Sequence, residues 1–207
     1  AVMCFALLAG CGEKNQPSDT QEPNTETAEK ILRIHAETEV DSLDPQIAAE
    51  SRSFELLGCF MEGLMGIDAD GNVIPALSDK YTVSEDGKTY TFHIRDGAKW
   101  SNGDAVTAND FVYGWQRAVD PEVGSEYSFM VYEIALIHNA QAIADGEMDV
   151  SELGVKAVDA QTLEVQLDMP VIFFDSLMAF PTFFPVNEKF VEACNGNFAT
   201  SPETLLA

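Results

Sequence analysis

The sequence predicts a mixed α/β fold of the α+β kind, built from short hairpins and amphipathic helices. Apolar residues alternate on both sides of the Asp86-Gly87 turn, which is typical of a β-hairpin. A second alternating stretch, residues 155–167, predicts another hairpin. Between them, Thr107 and the apolar residues that follow it predict a helix with a capped start. A chain of 207 residues has room for these elements in one domain or two small ones.

The first eleven residues, AVMCFALLAGC, are apolar and end at a cysteine. A transmembrane helix needs about 20 apolar residues, so this run is too short, but it has the length of the apolar part of a secretory signal. The final LAGC matches the bacterial lipobox, in which the cysteine is lipidated and becomes the mature N-terminus. We expect residues 1–11 to be a signal remnant that starts inside the signal, with the lipid on Cys11. A buried first helix is the alternative.

Residues 12–30 form a polar stretch that contains no Val, Ile, Leu, Met or aromatic residue. Such a segment cannot bury enough apolar surface to offset the entropy of ordering, so it is predicted to be a disordered tether. A flexible chain of this length reaches roughly 25 Å on average. Signal, lipid and tether together predict a protein held close to the outer face of a membrane.

The first half of the folded part is predicted to contain a strand, a helix, a hairpin and a second helix. Ile31–Ala36 is the strand, and Glu50–Met65 is a helix because its apolar residues recur at helical spacing despite two internal glycines. The hairpin spans residues 81–94. Thr107, with Asp110 three residues later, predicts the capping box of the second helix, and a following Asp-Pro pair ends it.

The second half is predicted to begin with a long helix, Ser128–Ala144, closed by Gly146. After the second hairpin, prolines divide the chain into a short aromatic-rich helix, Val171–Ala179, and a last helix, Glu188–Cys194. An apolar pair, Leu205-Leu206, stands next to the end of the sequence, where it would need a packing partner. We therefore expect the sequence to stop within a domain.

The charge of the chain limits its partners. The formal net charge is -24, from 35 acidic and 11 basic residues. Such a surface repels phosphate backbones, whose binding depends on Lys and Arg, and it disfavours contact with an anionic membrane through a basic patch. Nucleic acid is therefore excluded as a partner.

The sequence shows no motif for catalysis or for a metal. Cys59 and Cys194 are in neither metal nor redox spacing; an exported pair could form a disulfide or remain two free buried thiols. The three histidines are isolated, so no zinc site is expected. Asp68–Asn72 begins like a calcium loop, but Val73 stands where glycine is required, which favours a hairpin turn. Motifs for nucleophilic catalysis and for phosphate or dinucleotide binding do not occur, so we expect neither an enzyme nor a cofactor.

Aromatic residues are better candidates for contact with a ligand. Tyr127 lies at a predicted junction between a loop and a helix, where a tyrosine can present a flat apolar face and a hydroxyl together. Five phenylalanines crowd residues 173–184, and for each of them packing in the core is the more economical interpretation.

The most informative stretch is residues 76–121, ALSDKYTVSEDGKTYTFHIRDGAKWSNGDAVTANDFVYGWQRAVDP. It strongly resembles the oligopeptide-binding proteins of ABC importers, the extracellular solute-binding family 5. Shorter matches lie outside it, at Ser42–Pro45, Glu62–Leu64 and Leu153–Ala157. The resemblance covers about Ile31 to Ala207 and is closest to the peptide binders through Trp115–Arg117 and residues 120–127. Tyr81 departs from the family, which often has Trp there.

The resemblance implies a two-lobed fold like that of type 2 periplasmic binding proteins, with an additional domain peculiar to this family. On that basis, residues 31–60 and 186–207 would form part of the first ligand-binding lobe. Residues 61–185 would form the additional α+β domain. The hinge, the second lobe and the family's acidic clamp for the peptide amino terminus have no counterpart in this sequence. We therefore expect the chain alone to bind weakly or not at all.

The resemblance also implies a ligand site. In peptide-binding relatives the ligand lies extended between the lobes and pairs with the protein backbone as an added strand, which tolerates many side chains. By position, Ala49, Glu50 and Ser51 would form one wall of that pairing. Tyr127 would line the cavity that receives the ligand.

The function implied is that of a lipid-anchored, monomeric substrate-binding protein that captures extracellular oligopeptides and docks on ABC permease subunits in the membrane. The protein would lie on the outer face of the cell membrane, or on the periplasmic side where an outer membrane is present. Alternatives with the same fold are a binder of another small ligand, such as nickel or a glycan, and a sensor or adhesion lipoprotein. A hydrolase would need a nucleophile motif that the sequence lacks.

Overall fold

The computed structural model describes His35 and residues 38–207. The predicted signal remnant, Cys11, the tether and all of the predicted strand 31–36 except His35 lie outside the described residues. The strands of the described part are β1 (Met65–Ile67), β2 (Val73–Pro75), β3 (Ser78–Val83), β4 (Thr89–Ile94), β5 (Val155–Ala157) and β6 (Thr162–Gln166). Its α-helices are α1 (Ser51–Phe60), α2 (Ala108–Val119), α3 (Ala140–Ala144), α4 (Phe174–Leu177) and α5 (Glu188–Ala193). A π-helical turn spans Met130–Ile134.

An antiparallel sheet of four strands, in the order β3-β4-β6-β5, organises the described residues. β3 pairs with β4 and β5 pairs with β6, which confirms both hairpins predicted from the alternating patterns. β4 also pairs with β6, so the two hairpins join into one sheet although they are far apart in sequence. β1 and β2 form a separate small hairpin.

The core lies where this sheet packs against α2. On β4 the alternating residues Tyr90, Phe92 and Ile94 are buried, as expected for a strand with one face in the core. From α2, Trp115 is fully buried, and its indole N–H donates to the Phe183 carbonyl at 2.9 Å. That bond satisfies the one polar atom of the side chain, so the ring can be buried at no hydrogen-bonding cost.

α2 begins and ends where the sequence predicts. The backbone N–H and the hydroxyl of Thr107 both donate to the Asp110 carboxylate, at 2.6 and 3.0 Å, and the helix ends before Asp120. Asp110 is itself buried, and this burial raises its pKa, while the hydrogen bonds from Thr107 act in the opposite direction. With the sheet and α2 in place, the predicted mixed α/β class is confirmed.

The helix predicted over Glu50–Met65 is too long, because residues 61–65 lie beyond its end and pair with other parts of the chain. α1 ends at Phe60. The Gly63 carbonyl accepts a hydrogen bond from the Leu77 amide at 3.0 Å, so this backbone is committed to tertiary pairing. A Cβ at Gly63 would stand 2.1 Å from the Met178 carbonyl oxygen, which explains why glycine is required there.

The long helix predicted over Ser128–Ala144 is also wrong. The chain forms a π-helical turn and then, after a break, the short α3. In the break, Leu136 and Asn139 have positive φ angles of 52° and 65°, and Ile137 forms a β-bridge with Leu167. The bridge pairs this backbone with the residue that follows β6. A continuous helix could not form that pairing.

The remaining predictions are confirmed in part. α5 begins after Asn187, whose side-chain oxygen accepts from the Phe190 amide at 3.0 Å, and it ends one residue earlier than expected. The aromatic-rich helix after Pro170 is reduced to α4.

Cys59 and Cys194 are both free thiols, but Cys59 is exposed rather than buried. Among the described helices, none has both the length and the apolar content to cross a membrane.

Candidate functional site

Two groups of aromatic rings lie in different surroundings. The sheet cluster consists of Tyr81, Tyr90, Phe92 and Phe174, which pack on the four-stranded sheet and on α4. The loop cluster consists of Phe54, Tyr127, Phe129 and Phe180, which come from α1, the loop after α2 and the segment after α4. All four rings of the loop cluster are half-buried. An aromatic surface that is assembled but not covered is a candidate ligand contact.

Tyr127 stands at the centre of the loop cluster. Its ring centroid lies 4.9 Å from that of Phe54 in an edge-on arrangement, and 5.7 Å from that of Phe180 in a stacked one. Phe129 is 5.3 Å away on the same loop. These contacts fix the plane of the Tyr127 ring, so a ligand would meet a preorganised surface. Within the described part of the chain, the Tyr127 hydroxyl forms no hydrogen bond, unlike the hydroxyls of Tyr81 and Tyr90.

The predicted backbone wall, residues 49–51, lies at the start of α1. Ala49 is half-buried, whereas Glu50 and Ser51 are exposed. Glu50 has extended backbone angles, φ −104° and ψ 144°, and its side chain does not cap the helix. The Ala49 N–H donates to the Asp41 carboxylate at 2.8 Å. Among the described residues, neither the Glu50 N–H nor the Ala49 carbonyl has a hydrogen-bond partner, so both remain open to a ligand.

Asp41 and Ser53 hold this wall in place. The Ser53 hydroxyl oxygen accepts from the Asp41 and Ser42 amides at 3.2 and 3.3 Å, and the hydroxyl donates to the Asp41 carboxylate. Burial would raise the pKa of Asp41, but the hydrogen bonds from Ser53 and from the Ala49 amide outweigh it and hold that pKa below 3.8. The loop before α1 is therefore tied to the first turn of the helix by an ionised carboxylate.

An ion pair attaches the same loop to α2. Arg117 donates to both carboxylate oxygens of Asp44, at 2.6 and 3.1 Å, and to the Gln46 side chain at 2.7 Å. The Gln46 amide donates in turn to the Phe184 carbonyl at 3.1 Å. Because Asp44 and Gln46 are buried, losing one partner would leave uncompensated polar groups, so this arrangement fixes the loop firmly.

The structure brings the predicted residues together through Phe54. Phe54 lies one helical turn after Ser51 and touches Tyr127, so residues 49–51 and Tyr127 lie at the same end of α1. Sequence reasoning missed Phe54 and Phe180 as parts of this surface. Phe54 occupies a helical core position by spacing, and Phe180 belongs to a run of phenylalanines. No signal in the sequence separates these two from their buried neighbours.

Other features of the described residues have structural explanations. Asp68 accepts from the Asp70 and Asn72 amides at 2.9 and 2.8 Å, which confirms the predicted hairpin turn between β1 and β2. No group of three His, Cys, Asp or Glu residues in the described part is arranged to hold a metal ion. A cavity of about 740 Å³ between α2 and α5 is lined by Asp110 and Tyr113 and shares no residue with the loop cluster. The Asp110 carboxylate there is already committed to the start of α2.

Comparison with known proteins matches residues 72–204 to the model for bacterial extracellular solute-binding proteins, family 5 middle. The chain is 41% identical over 192 residues to the oligopeptide-binding protein OppA of Bacillus subtilis, covering 92% of this chain and 35% of that protein. It is 40% identical over 178 residues to the probable deoxycholate-binding periplasmic protein YgiS of Escherichia coli, covering 86% and 33%. The chain thus spans about a third of the length of these relatives.

A solved structure agrees with the sequence matches. OppA of Listeria monocytogenes bound to peptide is 42% identical and superimposes with a TM-score of 0.77, covering 81% of this chain and 32% of that one. The likeness confirms that the mixed α/β fold is that of part of a solute-binding protein. It does not test the domain boundaries 31–60, 61–185 and 186–207, which stay predictions.

Proposed function

Because the chain belongs to the bacterial extracellular solute-binding proteins of family 5, which bind solutes and are not enzymes, we propose that it contributes to an oligopeptide-binding site of an ABC importer. Related proteins are named for oligopeptides and for deoxycholate, so the family alone leaves the ligand open. The loop cluster beside the open backbone of residues 49–50 favours a peptide. Ala49, Glu50, Ser51 and Tyr127 are the ligand contacts that we assign.

The backbone at Glu50 is suited to an added strand. It is extended, and its N–H and the preceding carbonyl have no partner among the described residues. A peptide that lies along it could form main-chain hydrogen bonds without presenting a particular side chain. Tyr127 and Phe54 then offer apolar faces on which a ligand side chain can lie. Main-chain hydrogen bonds would provide affinity, and the aromatic surface would accept different side chains. Such a site would bind peptides of varied sequence.

The acidic residues around the cluster disfavour an anionic ligand. Glu50 is itself an assigned contact and Glu126 directly precedes Tyr127, and both side chains are exposed. The whole chain carries a formal charge of -24. A deoxycholate anion would be repelled by this field, whereas the amino group of a peptide would be attracted.

The place of the protein in transport is part of the same proposal. The lipobox at Cys11 and the polar tether support a lipid-anchored protein on the outer face of the cell membrane, or on the periplasmic side where there is an outer membrane. Closure of two lobes around the peptide would then present a surface to the permease subunits. A monomer suffices for both steps.

The test is peptide binding by the full-length protein, measured by titration calorimetry, with the variants Tyr127→Ala and Phe173→Ala. Phe173 is an exposed aromatic outside the loop cluster, so it serves as the matched control. We expect Tyr127→Ala to weaken peptide binding about tenfold, from the loss of an aromatic contact worth about 1 kcal/mol or somewhat more. Phe173→Ala should bind as the parent does.

Three results would contradict the proposal. Unchanged peptide affinity in Tyr127→Ala would remove Tyr127 from the site. Binding of deoxycholate, but of no peptide, by the parent protein would assign the site to an anionic amphiphile. A full-length protein that binds neither ligand would favour the sensor or adhesion alternative.

A further inference from the structure

The sequence contains two Asn-Gly pairs, Asn102-Gly103 and Asn195-Gly196. Asn-Gly is the pair most prone to spontaneous deamidation, because glycine has no side chain to hinder attack by its own backbone nitrogen on the preceding asparagine side chain. In this chain both asparagines are exposed. A side chain at either glycine would meet no atom within 4 Å, so both glycines stand in open space. The two pairs differ in their hydrogen bonds and in the backbone of the asparagine, which has a positive φ at Asn195 and not at Asn102.

Asn102 is held in an unreactive arrangement. Its side-chain oxygen accepts from the Asp104 amide at 2.9 Å, and its side-chain nitrogen donates to the Asp104 carboxylate at 2.8 Å. The attacking group is also occupied, because the Gly103 N–H donates to the Trp100 carbonyl at 2.8 Å. Deamidation at this pair requires these bonds to break first, and each of them lowers the reactive population by a factor of a few.

Asn195 lacks this protection. It follows α5 in a left-handed turn, with φ 49° at Asn195 and 83° at Gly196. The Gly196 N–H donates to no group among the described residues. The asparagine side chain makes a single hydrogen bond, from its nitrogen to the Ala193 carbonyl at 3.0 Å. We propose that Asn195 is a site of spontaneous deamidation in the native protein, whereas Asn102 is protected by its turn.

The chemistry needs only water. A water or hydroxide removes the Gly196 amide proton, the nitrogen attacks the Asn195 side-chain carbonyl carbon, and ammonia leaves as the cyclic succinimide forms. Water then opens the ring at either carbonyl and gives aspartate or isoaspartate. The net reaction consumes one water and releases one ammonia, with no oxidant or cofactor.

The product would disturb the end of α5. A new carboxylate would stand where the last carbonyls of the helix already concentrate partial negative charge, which is unfavourable. Isoaspartate would also add a methylene to the main chain three residues before Phe198. The Phe198 ring lies 5.7 Å from the Arg117 guanidinium, and Arg117 holds the loop of the candidate site through Asp44. Asn195 therefore lies three residues before a ring that stands beside the arrangement fixing that loop.

The test is peptide mapping by mass spectrometry after incubation of the purified native protein at mildly alkaline pH. The peptide that contains Asn195 should gain the mass difference between an amide and an acid. It should do so about tenfold faster than the peptide that contains Asn102, since several hydrogen bonds must open at Asn102-Gly103. Isoaspartate is identified by enzymatic methylation of the same peptides. Asn195→Gln should abolish the change in the peptide that contains residue 195 and leave the peptide that contains Asn102 unaffected.

A denatured sample is the matched control, because unfolding removes the protective bonds while leaving both dipeptides intact. There the two pairs should react at similar rates. The proposal is overturned if the native protein modifies Asn102 as fast as Asn195. It is equally overturned if neither pair reacts in the native protein while both react in the denatured one.

Discussion

The sheet cluster and the loop cluster both consist of Phe and Tyr, but the first belongs to the core and the second is the candidate ligand surface. In the sheet cluster Phe92 and Phe174 are fully buried, and the Tyr90 hydroxyl donates to the Val171 carbonyl at 3.0 Å. The Tyr81 hydroxyl donates to Asp175 at 2.9 Å. In the loop cluster all four rings are half-buried. In the sheet cluster every ring except Tyr81 is buried and both hydroxyls are hydrogen-bonded. The loop cluster keeps half-buried rings, and the Tyr127 hydroxyl has no partner in the described part.

The backbone beside each cluster differs in the same way. β4 is paired on both sides, with β3 and with β6, so none of its strand surface is free. The extended backbone at Glu50 has no strand partner among the described residues. Unpaired extended backbone is a template for another strand, and it is normally protected unless it has a use. The start of α1 combines half-buried aromatic rings with an extended residue that has no strand partner in the described part.

The largest expected effect comes from truncating one ring in each cluster. Phe92→Ala should lower the free energy of unfolding by about 3–5 kcal/mol, because it leaves a cavity in a closed core. Phe54→Ala should lower it by only about 1 kcal/mol, since that ring is half-exposed. Urea unfolding of the full-length protein measures both values.

Peptide affinity should respond in the opposite order. Phe54→Ala should weaken binding because Phe54 supports the Tyr127 ring, whereas Phe92→Ala, measured where it remains folded, should bind as the parent does. Equal losses of stability in Phe54→Ala and Phe92→Ala would show that the loop cluster is part of the core and not a surface available to a ligand.

Local signals in the sequence were sufficient for the elements around the sheet cluster. The Asp86-Gly87 turn, the alternation in β4 and the capping pair Thr107 and Asp110 predict elements from neighbouring residues alone, and all are found. The helix predicted over 128–144 fails because its break is set by the bridge from Ile137 to Leu167, thirty residues away. Local periodicity carries no information about such a contact.

The candidate site was less accessible to sequence reasoning. Tyr127 and residues 49–51 came from a resemblance, and only the structure places them at one end of α1. Phe54 lies on the same helical face as Leu57, yet Phe54 is half-buried whereas Leu57 is fully buried. Helical spacing identifies an apolar face, but what covers that face depends on the tertiary fold.

An intermediate effect is expected from removing the open backbone donor. Glu50→Pro eliminates the N–H at this position, and because proline fixes φ near −65°, the backbone must turn by about 40° from its observed −104°. It should weaken peptide binding about threefold to tenfold, the value of one or so hydrogen bonds. Glu50→Ala keeps the N–H and is the matched control, with a smaller change that reports only the side-chain charge. Equal affinity in the two variants would mean that the ligand does not pair with this backbone, and thermal unfolding of both checks that α1 is intact.

The smallest expected effect is in acid, and it concerns how the wall before α1 is held. Because the pKa of Asp41 is held below 3.8 by the hydrogen bonds from Ser53 and Ala49 against the effect of burial, its ionised form stabilises the folded state above that value. That stabilisation is lost as the pH falls through the lowered pKa.

Between about pH 5 and pH 3 the parent should therefore lose more stability than Asp41→Asn, in which no carboxylate titrates at this position. Ser53→Ala removes the hydroxyl that lowers the pKa and should also reduce the acid sensitivity. An Asp41→Asn variant as acid-sensitive as the parent would show that the Asp41 carboxylate does not hold the wall, and that Ser53 and the buried Asp44–Arg117 pair suffice.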